Sequence, residues 1–104
     1  MEKNFDVYNL INDNGNPAVN QFIRIEGDKI VFQSYKTRIA CFQKGNIYIV
    51  PNAVEKRGDT LESSVTTRKH LYIFLRNHCG RWINDIKDLK TAIKCGDIIL
   101  KEDI

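Results

Sequence analysis

The residues best equipped for chemistry stand together at positions 66–70, Thr66-Thr67-Arg68-Lys69-His70. Two hydroxyls, a guanidinium, an ammonium and an imidazole make a set of anion donors. If they open a helix, its unpaired backbone N–H groups join them, and a docked phosphate or carboxylate would satisfy all of these at once. Thr66, Thr67, Arg68, Lys69 and His70 are therefore the expected anion-binding residues. The anion could come from a nucleic acid, from a partner protein, or from the chain itself, since Glu55, Asp59 and Glu62 lie just upstream. The residue types leave these three sources open.

Catalytic chemistry finds little support. His70 and His78 are the two histidines, and no glycine-rich phosphate loop, paired-carboxylate signature or Cys–His nucleophile spacing stands out. The expectation is a protein that is not an enzyme and carries no cofactor. Cys41, Cys79 and Cys95 are an odd, widely spaced set, which argues against a secreted disulfide framework. Combined with His78 they still lack any C-x-x-C pair, so no metal site is expected.

A helix must position the cluster, and the pattern predicts one from about Thr67 to Cys79, with Thr66 or Thr67 as N-cap and Gly80 as the left-handed stop. On a helical wheel Leu71, Leu75, His78 and Trp82 align as a core stripe, flanked by Phe74 and Cys79. Lys69, Tyr72 and Arg76 align on the other side with Ile73 beside them. Tyr and Arg are enriched at interface centres. Arg68, Lys69, Tyr72, Ile73, Arg76 and Arg81 are thus the expected partner-binding residues. The competing expectation is that the small sheet wraps this face too, or that Tyr72 and Ile73 pack under the loop of residues 51–65.

Charge singles out the same stretch. Residues 1–62 hold eight basic and eight acidic side chains, and residues 85–104 hold four and five. Residues 63–84 hold four basic side chains and no acid, so this block carries the net +3 of the chain. Positive charge at a helix N-terminus opposes the helix dipole by a few tenths of a kcal/mol per residue, roughly. The second predicted helix obeys that rule. Asn84 is its expected N-cap, Asp85 and Asp88 stand near its start, Lys90 and Lys94 near its end, and Gly96 just past it.

Four strands are expected before the helices: Val19–Glu26, Lys29–Tyr35, Arg38–Gln43 and Ile47–Val50. The turns between them are short enough to force an antiparallel meander. In the first, Val19, Ile23 and Ile25 should share one face. Phe5–Ile11 reads as either a short strand or a half-helical lead-in. Residues 51–65 read as a long surface loop, and Asp97–Lys101 as a short final strand. The fold class expected is α+β, a four-stranded antiparallel meander followed by two helices and a C-terminal strand, in one domain spanning 1–104. With 42% hydrophobic and 28% charged residues the composition is globular. No apolar run suits a membrane span, and the polar start Met1-Glu2-Lys3-Asn4 does not suit a signal peptide, so a cytoplasmic location is expected.

Three segments, "NGNPAVNQFIRI", "VFQSYKTRIACF" and "SVTTRKHLYIFL", resemble in order and spacing a family of small proteins from bacteriophages and related mobile elements. Its pattern runs N-P-x-x-N-Q-F, then F-Q-S-Y-x-S-x-I-A, then S-x-T-T-x-K-H, and the likeness covers roughly residues 14–79. The matching positions are Asn16, Pro17, Asn20, Gln21 and Phe22; Phe32, Gln33, Ser34, Tyr35, Ile39 and Ala40; and Ser64, Thr66, Thr67, Lys69 and His70. Thr37 stands where the family tends to Ser, and Leu61-Glu62-Ser63 replaces a Trp-Asp-Tyr lead-in. The resemblance implies context rather than mechanism. Small phage proteins of this kind often act against host defences in the bacterial cytoplasm. The implied function is to bind and inhibit a host defence component, an anti-CRISPR protein being its concrete form. The expected partner is then a host protein or ribonucleoprotein complex, without a membrane. The alternative is a small nucleic-acid-binding protein, with the basic first helix or the sheet tracking phosphates.

Overall fold

The computed structural model describes residues 5–53, 56–57, 60–61 and 65–104. The chain opens with five consecutive antiparallel strands: β1 (Phe5–Ile11), β2 (Pro17–Glu26), β3 (Lys29–Ser34), β4 (Thr37–Gln43) and β5 (Asn46–Ile49). The α+β fold is as expected, but the meander has five strands. Phe5–Ile11 is the additional one, resolved as a strand by its pairing with β2 from Phe5↔Glu26 to Asn9↔Phe22. A 3₁₀ turn, Pro51–Ala53, and a two-stranded ladder of β6 (Lys56–Arg57) and β7 (Thr60–Leu61) occupy part of the segment expected to be plain loop. The rest of that segment lies outside the described residues.

Two helices follow, α1 (Val65–Cys79) and α2 (Ile86–Lys94), and then β8 (Ile98–Leu100). β8 lies beside β5 and parallel to it, so the six-stranded sheet runs β1-β2-β3-β4-β5-β8. A parallel neighbour needs a crossover, and the two helices supply it. They pack on one face of the sheet. Phe32, Ala40, Ile47, Ile49 and Ile98 meet Leu71, Phe74, Leu75 and Leu89 in a single buried cluster. The Phe32 and Phe74 rings stack 5.8 Å apart at its centre.

Alternation fails once in β2, for a local reason. Leu10 of β1 faces four residues of β2, because the register jumps between Asn9↔Phe22 and Ile11↔Pro17. Asn20 takes a left-handed conformation there, φ 61°. Asn tolerates this region better than branched residues do. The chain thereby turns Ala18 and Gln21 inward and leaves Val19 78% exposed, so Val19 does not share a face with Ile23.

The helix ends also move slightly. α1 begins at Val65, which puts Thr66 and Thr67 inside its first turn rather than at the cap. Gly80 stops it with φ 68°, as expected. In α2 the cap is Asp85, one residue beyond the expected Asn84: the Asp88 N–H donates to Asp85 Oδ1 at 2.8 Å, and the Asn84 N–H donates to Asp88 Oδ2 at 3.2 Å. Among the described residues, no helix is long and apolar enough to cross a membrane.

Candidate partner-binding site

α1 opens without an acidic residue in its first turn, so the dipole misfit read from the sequence is present in the structure. Thr67, Arg68 and His70 are each engaged within the chain, and Lys69 is exposed. The side chain of Thr66 lies outside the described residues, as do Glu55, Asp59 and Glu62, the carboxylates that could answer the cluster from within.

The expected partner-binding face divides in two. Ile73 is 2% exposed and belongs to the core, so it adds nothing to a surface patch. Leu71, Phe74 and Leu75 are also buried, and the apolar arc of α1 is wide enough to include Ile73. Arg76 turns to the protein's own turn between β1 and β2, donating from Nη2 to Asp13 Oδ1 at 2.6 Å, with Asn84 Oδ1 3.4 Å from Nη1. Arg81 lies 3.5 Å from Asp97 and donates to the Cys79 carbonyl at 3.4 Å. Both cations are largely answered inside the molecule. Trp82, expected in the core stripe, is 78% exposed because the chain leaves the helix at Gly80 and the wheel no longer applies.

Arg68, Lys69 and Tyr72 stay together. With Asn84, Asp85 and Ile86 at the start of α2 they line a groove of about 370 Å³. Tyr72 is half-buried against the core, and its hydroxyl shares a hydrogen bond with Arg68 one turn earlier. Burial pushes the tyrosine hydroxyl's pKa up, an effect that the nearby Arg68 charge opposes. The groove therefore has an apolar floor of Tyr72 and Ile86, a cationic wall of Arg68 and Lys69, and one carboxylate, Asp85, already occupied as a helix cap. The α2 wall was not foreseen. Asn84 and Asp85 carried a cap signal and Ile86 a place in the apolar stripe of the second helix with Leu89 and Ile93, and nothing local shows that two helix N-termini meet.

The remaining reactive groups are two buried thiols, one exposed thiol and a half-buried histidine. Cys41 and Cys79 are buried and unbridged, Cys95 is exposed, and burial pushes the Cys79 thiol up to about 12. His78 stacks on Phe74 at 5.6 Å, and partial burial lowers its pKa, which favours the neutral ring. Among the described residues, no three His, Cys, Asp or Glu side chains gather as metal ligands.

No curated protein and no solved structure matches the chain. A family profile does match it, over residues 3–95, which span β1 through the end of α2. The chain belongs to that family, DUF8033, a family of unknown function.

Proposed function

We propose that this protein acts by binding rather than by catalysis, and that its partner docks an acidic, apolar-tipped segment in the groove between α1 and α2. The observation that carries this reading is the groove itself, where Lys69 stands exposed beside Arg68 over a Tyr72–Ile86 floor. A carboxylate entering there would meet two cations and relieve the repulsion between them and the α1 N-terminus. An apolar side chain next to it would cover the tyrosine ring. The resemblance to small phage proteins supports a finer version: the partner is a bacterial defence complex, a CRISPR effector first of all, and binding inhibits it.

Affinity capture from nuclease-treated bacterial lysate, with Lys69→Glu as the paired bait, tests the groove. The expected outcome is a protein partner held by the natural chain and lost with Lys69→Glu at unchanged melting temperature. A partner retained by Lys69→Glu, or capture of nucleic acid alone before nuclease treatment, would overturn it. The finer version is tested in cells whose CRISPR system blocks a plasmid. Expression should restore transformation, and Lys69→Glu should not.

A further inference from the structure

The second face of the sheet carries neither α1 nor α2, since both pack on the side of Phe32 and Ile98. The register places one row straight across it: Val7↔Arg24↔Val31↔Cys41↔Tyr48↔Ile99, one residue from each of the six strands. Val31 and Cys41 in the middle of that row are 0% and 2% exposed although no helix covers them. The same face carries a network of charged side chains. Glu26 accepts from Arg24 Nε at 2.8 Å and from both terminal nitrogens of Arg38, at 3.0 and 2.8 Å.

Among the described residues, four cations belong to this face, Arg24, Lys29, Arg38 and Lys101, against the carboxylate of Glu26 and, at the edge, that of Asp28, which accepts from Gln43 Nε2 at 2.9 Å and lies 3.8 Å from Lys44. Lys29 pairs in register with Glu26 and Gln43, two residues from Val31, which sets its side chain on the same side. The Lys101 ammonium sits 5.2 Å over the Tyr48 ring. Lys29, Arg38 and Lys101 all lie close enough to bear on the Cys41 thiol. Both Glu26 oxygens are consumed by the two arginines. Arg24 uses only its Nε in that contact, so its outer nitrogens stay available, and Lys29 has no ion pair among the described residues.

We infer that this helix-free face binds single-stranded nucleic acid, the cations holding successive phosphates and the half-buried rings of Tyr48 and of Phe22, two residues before Arg24 and so on the same face, meeting unstacked bases. Charge complementarity selects this occupant. A row of cations running across the strands, with the Tyr48 and Phe22 rings on the same face, suits a polyanion of even charge spacing whose bases have faces to stack. Adjacent strands lie about 4.8 Å apart, so the cations from β2 to β8 span roughly 19 Å, the length of three or four nucleotides. The inference does not depend on the α1–α2 groove, which lies on the other side of the sheet.

Fluorescence anisotropy with labelled dT10 and U10, over a salt series, tests it, with a ten-residue polyglutamate as the competing polyanion. Binding by the natural protein should weaken with a log–log salt slope of about −2 to −3, the signature of three or four phosphates. Lys29→Glu with Lys101→Glu should lower affinity about tenfold or more at an unchanged circular-dichroism melt, whereas Lys69→Glu should leave it intact. The salt slope is read on the unaltered protein and stands even if the double variant unfolds. The inference fails if neither oligonucleotide binds, if the slope is near zero, if polyglutamate competes as well as dT10, or if Lys69→Glu removes binding.

Discussion

Glu26 shows how a single carboxylate organises a sheet surface. Its charge is shared by Arg38 and Arg24, and their hydrogen bonds hold its pKa down from 4.5 to about 2, against a smaller opposing effect of burial. A carboxylate whose pKa is depressed in the fold stabilises it while ionised. That contribution is complete above pH 4.5 and is lost as the pH falls through about 2. The side chains are a quarter to a third exposed, so solvent screening trims the effect, and Glu26→Gln should cost about 1–2 kcal/mol at pH 7. Urea unfolding of both proteins at pH 7 and pH 2 checks this. The two midpoints should differ at pH 7 and converge at pH 2, and a gap that persists at pH 2 would place the effect in packing rather than charge.

The two helices differ at their N-termini, and that difference was legible in the sequence. α2 has its own acidic cap in Asp85, while α1 starts with Arg68 and Lys69 close by and no acid in its first turn. Asp85→Ala should therefore cost about 1 kcal/mol, read as a lower urea midpoint at constant slope. Asn84→Ala, at the position the sequence favoured for the cap, should cost less, because only its main-chain N–H enters the cap. Strand boundaries β2 to β5 were also legible to within two residues, since Gly27-Asp28 and Lys44-Gly45 are turn residues between apolar runs. What was not legible was anything set by arc width or by register. A wheel orders Ile73 beside Tyr72 but cannot say that the apolar arc extends to it. Alternation cannot foresee that Asn20 turns left-handed and puts Val19 outside. The Arg24–Glu26–Arg38 network needed β2, β3 and β4 in register before its members could meet, and the pairing of α1 with the α2 N-terminus needed the connection after Gly80.

At the scale of the molecule, one sheet is assembled from contacts of two kinds. β1 to β5 pair with chain neighbours through short turns, so each pairing closes a small loop. β8 instead pairs with β5 across roughly 50 residues, Ile47↔Ile98, after both helices have crossed the sheet. Local pairings are entropically cheaper to form, and distant ones form readily only once the intervening elements are in place. The meander with α1 against Phe32 should therefore make up the folding nucleus, and β8 should dock late. Ile98 is 1% exposed, and Ile98→Ala should cost about 2–4 kcal/mol through lost burial and the cavity left behind. Late docking decides where that loss appears in the kinetics. Refolding should slow by less than about twofold while unfolding accelerates about 30- to 1,000-fold. Ile23→Val, in the middle of the meander, should do the opposite in proportion, taking most of its smaller loss from the folding rate. Stopped-flow chevrons of the two variants decide the order. If Ile98→Ala slows folding as much as it speeds unfolding, the parallel β5–β8 pair is already formed in the transition state, and the sheet closes from its C-terminal edge at the same time as the meander zips.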